Sequence, residues 1–174
     1  HEPFLVGDSF VRKYNDVYYM WYIYGTRWVR EHENAAPDRV YKIAQATSHN
    51  GIDWQRDGRL IVVDKLHNNE CQALPTVIDD NGRYHMFFCY RDVFGFRDDP
   101  KKSYRLGYAY SQDLKNWVRD DAAGGMSVSD EGWDSEMQCY PHLFRVKNKI
   151  YLLYNGNKFG RDGFGAAVLE GYES

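Results

Sequence analysis

Tyr41-Lys42-Ile43-Ala44-Gln45-Ala46-Thr47-Ser48, with its continuation His49-Asn50-Gly51-Ile52-Asp53-Trp54, returns further along the chain. The second copy is Tyr104-Arg105-Leu106-Gly107-Tyr108-Ala109-Tyr110-Ser111, continued by Gln112-Asp113-Leu114-Lys115-Asn116-Trp117. Both run on as Trp-x-Arg-Asp, through Arg56-Asp57 and Arg119-Asp120. Chance does not hold six residue types in register, so the chain is built on an internal repeat of roughly 60–65 residues.

Upstream of each copy lie two short apolar runs broken by a polar turn, the pattern of a strand pair. In the first unit these are Ser9 to Val11 and Val17 to Ile23. In the second they are Thr76 to Ile78 and Arg83 to Tyr90, joined by Asp79-Asp80-Asn81-Gly82, a hairpin signal. A third unit has His142 to Phe144 and Lys149 to Tyr154, and ends in Gly163-Phe164-Gly165. No window has a helical period. Each unit therefore reads strand, turn, strand, long loop, strand, hinge, strand, which predicts an all-β chain of antiparallel four-stranded β-propeller blades. About three blades are expected in one partial propeller domain over 1–174, with units near 1–64, 65–128 and 129–174.

In such a blade the long loop and the start of the innermost strand share one end, and the Ser-to-Trp hinge lies at the other. The hinges are then structural, with Trp54 and Trp117 packing between blades. The opposite end is a mouth that gathers Glu70, Glu136, the loop arginines and aromatics such as Trp28. Glu70 and Glu136 each stand five residues before a proline, Pro75 and Pro141, at the head of a strand.

Composition narrows the partners. The 174 residues suit one domain, and a formal net charge of −3 offers nothing to a phosphate backbone or an anionic membrane. Aromatics make up 17% of the chain, enough to furnish both strand surfaces and platforms on which sugars stack. Cys71, Cys89 and Cys139 give no disulfide framework, and no apolar run is long enough for a spanning helix. The expectation is a cytoplasmic protein with neither nucleic-acid nor membrane partners. The chain starts at His1 without Met, which fits processing or truncation.

Carboxylates converging on one axis are what glycoside hydrolysis requires, one as acid and one to activate water or attack carbon. Glu70 and Glu136 are the candidates. In the alternative reading each pairs with an arginine such as Arg91 or Arg161 and locks blade to blade. Asp134 and Asp8 carry the same ambiguity. No histidine spacing matches a zinc site, so no metal or other cofactor is expected. His142 starts an inner strand and reaches either the axis or an ordinary hydrogen bond.

Gly132-Trp133-Asp134-Ser135-Glu136-Met137, Tyr140-Pro141, Leu153-Tyr154-Asn155-Gly156-Asn157 and Gly163-Phe164-Gly165 resemble the C-terminal part of bacterial five-bladed propeller glycosidases related to glycoside hydrolase families 32 and 43. The resemblance implies Glu70-Cys71 as the acid-bearing Glu-Cys and Glu2-Pro3 as a second-blade carboxylate. Glu2 then tunes the acid or binds a sugar hydroxyl, and Glu136 is a substrate-side carboxylate on the next blade. Beside this catalytic set, Arg91, Trp28, Asp134, His142, Asn157 and Arg161 are the expected substrate-binding residues. No first blade precedes His1, so the expected base is absent, and an arc of three blades implies either missing N-terminal blades or a homo-oligomer. Three functions stay open: a glycoside hydrolase-like domain acting on or recognising an oligosaccharide, a non-catalytic carbohydrate-binding scaffold, and a phosphorolytic variant using Arg91, Arg97 or Arg161.

Overall fold

Each repeat unit folds into its own antiparallel sheet in the computed structural model, which describes residues 4–170. The first sheet holds β1 (Val6–Tyr14), β2 (Val17–Val29), β3 (Asp38–Ser48) and β4 (Gln55–Arg56), in that order. The second repeats it with β5 (Cys71–Asp80), β6 (Arg83–Arg91), β7 (Arg105–Ser111) and β8 (Val118–Arg119). The third has β9 (Cys139–Val146), β10 (Lys149–Asn155) and β11 (Phe164–Val168) among the described residues. The chain is thus all-β in propeller-type blades, with β1, β5 and β9 innermost.

Two apolar seams join the blades. Trp21, Ile23 and Ile43 of the first pack on Val77, Met86, Phe88 and Tyr90 of the second. Phe87, Cys89, Leu106 and Tyr108 of the second pack on Leu143, Ile150 and Leu152 of the third. Successive residues of β6 therefore face opposite neighbours, which is why Met86-Phe87-Phe88-Cys89 is apolar without alternation. Fully burying side chains of this size contributes about 1.5–3 kcal/mol each, so the seams hold the arc together.

Gly107 shows how tight the central blade is. A Cβ there would stand 2.4 Å from Cζ of the buried Phe88 ring. Gly107→Ala is expected to cost about 1–3 kcal/mol by overpacking, read as a lower urea midpoint. An unchanged midpoint would mean that the ring can withdraw.

The hinges turn on side-chain caps. Ser111 Oγ accepts from the N–H of Leu114 (2.9 Å), and Asp113 Oδ1 accepts from the N–H groups of Lys115 and Asn116 (both 2.8 Å). Ser48 and Asn50 do the same in the first blade. Trp117 sits between blades, its Nε1 donating to Gln45 Oε1 (3.2 Å), which also accepts from Trp21 Nε1 (2.8 Å).

Two local expectations are corrected. The innermost strands begin at Val6, Cys71 and Cys139, ahead of the predicted Ser9, Thr76 and His142, because an irregularity inside each strand breaks the alternation. The last long loop contains a helical turn, Asn157–Gly160, with Lys158 and Phe159 at positive φ. Among the described residues no helix is long and apolar enough to cross a membrane.

Candidate functional site

The irregularity falls at the same place in every blade. Pairing skips from Gly7 to Phe10 in β1, from Ala73 to Thr76 in β5 and between Cys139 and His142 in β9. Each bulge begins with a non-glycine residue of positive φ: Asp8 (51°), Leu74 (50°) and Tyr140 (57°). Such a backbone costs on the order of 1–3 kcal/mol per residue and persists only where the surroundings impose it. Pro75 and Pro141 help, since a proline has no N–H to lose from the ladder. The bulges re-aim three side chains into one cleft of about 360 Å³, lined also by Arg39, Tyr41 and Tyr104. That is at the small end of the roughly 300–1,000 Å³ usual for small-molecule sites.

Tyr41 and Tyr104, the first residues of the repeated segment, meet across the seam with their hydroxyls 3.1 Å apart. Arg91, only 4% exposed, binds both: Nη2 donates to Tyr41 Oη (2.8 Å) and Nε to Tyr104 Oη (3.1 Å). Its Nη1 donates to the carbonyls of Asp92 (2.7 Å) and Val93 (3.2 Å), and its guanidinium lies 3.6 Å from the centre of the Phe96 ring. Both phenols accept from the same cation and one donates to the other. One phenolic proton is left over for a ligand.

Burial raises the pKa of Tyr104, with Cys89 and Tyr41 adding to it, and burial likewise raises Tyr41 against the pull of Arg91. Tyr140 is pushed up to about 12 by desolvation, then by Cys139, Cys89, Tyr41 and Asp8. Asp8 is exposed, and the partial desolvation of its carboxyl in the cleft raises its pKa against a hydrogen bond from the Leu74 backbone. The cleft thus offers one carboxyl of raised pKa, neutral phenols, and the exposed Arg39, whose guanidinium lies 5.6 Å from the centre of the Trp28 ring.

The residues singled out from the sequence are dispersed. Glu70 is 0% exposed and spent: Oε1 accepts from Arg119 Nη1 (2.6 Å) and Gln72 Nε2 (3.0 Å), Oε2 from the N–H groups of Lys65 (2.9 Å) and Leu66 (3.0 Å). It pairs with an arginine on the outermost strand, not with Arg91 or Arg161, and does not line the axial cleft. Glu136 is exposed, and its backbone, not its carboxylate, makes the contacts: N–H to Asn157 Oδ1 (2.8 Å) and C=O from Arg105 Nη1 (2.8 Å).

Asp134 is buried. Desolvation raises its pKa, but hydrogen bonds from Ser129, Gln138 and Tyr154 outweigh that and hold it below the usual range. The Asn157 amide ties the Gly132–Met137 loop, accepting from Glu136 and Met137 N–H and donating to Gly132 O. The Arg161 side chain pairs with Asp162 on an exposed turn, and Trp28 stands 47% exposed on the extended β2–β3 ribbon. His142 is exposed on β9, its ring centre 6.3 Å from Phe10 and 6.4 Å from Phe144. Glu2 lies outside the described residues.

The sequence offers Asp8 only as an ambiguous carboxylate and does not single out Tyr41, Tyr104, Tyr140 or Arg39 as site residues. Tyr41 and Tyr104 were visible as the head of the repeat. Asp8 had the equivalence to Leu74-Pro75 and Tyr140-Pro141 as its signal, masked by Ser9 in place of proline.

No family model matches the chain. Two uncharacterized proteins of Mycobacterium tuberculosis strains are 32% identical over 170 residues, 97% of this chain and 52% of each relative. A 1,2-β-oligomannan phosphorylase of Thermoanaerobacter sp. strain X514 is 33% identical over 112 residues, 63% of this chain and 29% of that protein. The chain spans about half the length of the curated relatives it matches first. Among solved structures, a family 117 glycoside hydrolase of the marine bacterium Zobellia galactanivorans superposes with TM-score 0.73 at 20% identity, over 94% of this chain and 52% of that one. A thermostable family-43 glycoside hydrolase gives TM-score 0.66 at 13% identity, over 97% and 55%. The fold is that of propeller glycosidases.

Proposed function

We propose that this glycoside hydrolase-like propeller chain binds and processes an oligosaccharide in the axial cleft, with Asp8 as its working carboxyl. The supporting observation is the triple bulge, where backbone strain brings Asp8, Leu74 and Tyr140 into one cleft beside the Tyr41–Tyr104 pair. A carboxyl lifted by desolvation can hand a proton to a leaving oxygen. The phenols hold sugar hydroxyls, and Trp28 with Arg39 forms the rim. Glu70 closes a buried ion pair within the second blade rather than serving the reaction, and Arg91 positions the tyrosines.

Hydrolysis requires a second carboxylate to activate water or attack carbon, and among the described residues only Asp8 lines the cleft as an acid. Phosphorolysis removes that need, because inorganic phosphate is itself the nucleophile. The exposed Arg39 guanidinium, with no carboxylate partner among the described residues, favours this second reading, as does the similarity to an oligomannan phosphorylase.

A panel of β-linked oligosaccharides and aryl glycosides, incubated with and without phosphate, separates the readings. Sugar 1-phosphate formed only with phosphate supports phosphorolysis, and free reducing sugar in its absence supports hydrolysis. An inert protein that still binds sugar supports the scaffold, and one that neither turns over nor binds any member sinks the proposal. Self-association of the chain belongs to the same proposal. A light-scattering mass of a single chain would oppose it.

A further inference from the structure

The repeat places one polar junction between the first and second blades and an equivalent one between the second and third. In the first, Lys42 Nζ donates to Asp64 Oδ1 (2.5 Å) and to Glu70 O (2.6 Å). Gln72 Nε2 donates to Val62 O (3.2 Å), Asp64 Oδ1 (3.2 Å) and Glu70 Oε1 (3.0 Å), while its Oε1 faces the N–H of Ile43 (3.4 Å). The chain's own carboxylate, Asp64, fills this junction.

At the second junction Arg105 follows Tyr104 as Lys42 follows Tyr41, and Gln138 precedes Pro141 as Gln72 precedes Pro75. Asp134 takes the place of Asp64 at the glutamine, but among the described residues no carboxylate meets Arg105 as Asp64 meets Lys42. Arg105 donates only to the carbonyls of Tyr104 (2.9 Å), Glu136 (2.8 Å) and Pro100 (2.7 Å), and no salt bridge reaches it among the described residues. Gln138 is 1% exposed. Its Nε2 donates to Ser127 O (2.8 Å) and Asp134 Oδ2 (2.9 Å), and its Oε1 has no partner. Turning the amide over would set Oε1 against those two acceptors, so the orphan acceptor is fixed.

Both residues line a cleft of about 370 Å³ with Lys65, Tyr90, Asp121 and Val128. Lys65 and Asp121 pair at 3.0 Å, so Arg105 is the cation of this cleft that has no carboxylate partner among the described residues. The cleft neighbours the axial one: Tyr104, just ahead of β7, lines the axial cleft, and Arg105, the first residue of β7, lines this one.

We propose that this second cleft binds a hexuronate unit, whose carboxylate pairs with Arg105 as Asp64 pairs with Lys42, and whose neighbouring hydroxyl donates to Gln138 Oε1. An anion alone satisfies Arg105 but leaves Gln138 unpaired, and a neutral sugar does the reverse. The site therefore selects a ligand that carries both groups.

Calorimetric titration of the protein with sodium glucuronate, glucose and inorganic phosphate tests this. Glucuronate binds one to one, glucose at least about tenfold more weakly for want of the charged bond, and phosphate does not displace glucuronate. Arg105→Met lowers glucuronate affinity about 10–100-fold. Val128→Glu, which sets a carboxylate on the cleft wall and leaves Arg105 and its carbonyl bonds intact, does the same without altering the thermal midpoint. Asp8→Asn leaves glucuronate binding unchanged, which separates this site from the axial cleft. The proposal is overturned by no binding in the parent, by glucose binding equally well, by phosphate outcompeting glucuronate, by Val128→Glu binding as the parent does, or by Asp8→Asn abolishing the binding.

Discussion

Arg119→Met is expected to lower stability by about 3–5 kcal/mol, the usual cost of leaving a buried charge without its partner. The side chains of Arg119 and Glu70 are 4% and 0% exposed and meet at 2.6 Å. Methionine keeps the packing on Phe88 and Tyr90, over whose rings the guanidinium now lies at 5.0 and 4.4 Å. What is lost is the charge, and two carboxylates depend on it, since Arg119 Nε also reaches Asp121 Oδ1 at 3.1 Å. Adding Glu70→Gln should recover part of the loss, because the double variant buries no unpaired glutamate.

Acid gives an independent check. Burial raises the Asp121 pKa, but bonds from Arg119, the Tyr108 N–H and Lys65 outweigh it and hold the group below its usual range. A depressed carboxyl contributes stability that is present above its unfolded value of about 3.9 and lost as pH falls through the lower folded one. The gap in urea midpoint between parent and Arg119→Met should therefore narrow in strong acid. A gap of under about 1 kcal/mol at neutral pH would show the pair to be replaceable.

Glu70 explains why the blades were legible in the sequence and the site was not. Strands, hinges and the Tyr41–Tyr104 correspondence follow from apolar runs and repeated side chains, which a sequence displays directly. A charge at the head of an apolar strand also displays itself, but the partner that decides its meaning, Arg119, sits 49 residues on, in the outermost strand of the same blade. The bulge is written in backbone torsions. Pro75 and Pro141 advertise it in two blades, whereas Gly7-Asp8-Ser9 hides it in the blade that carries the proposed working carboxyl. Gln72 and Gln138 show the same limit in another form: equal positions in the repeat, with opposite hydrogen-bond outcomes for their Oε1 atoms.

Asp8→Asn is expected to reduce turnover by about 10²–10⁴-fold, the range for a lost proton-transfer group, while stability at neutral pH holds or rises. The second half distinguishes a working carboxyl from a structural one. Desolvation is the larger influence on Asp8 and raises its folded pKa above the unfolded value, so the ionised form is disfavoured in the folded chain. A carboxyl with a raised folded pKa contributes its stability below the unfolded value and loses it as pH climbs through the folded one. Asparagine carries no charge to desolvate and keeps an oxygen for the Leu74 N–H. The variant should match or exceed the parent in thermal midpoint at pH about 7, and the difference should vanish below pH about 3.9, where the parent is protonated in both states. Lower stability together with unchanged turnover would make Asp8 a clasp for the β5 bulge and remove it from the chemistry. Lost turnover at undiminished stability is the outcome expected of strain and desolvation kept at a site for what it does rather than for how it folds.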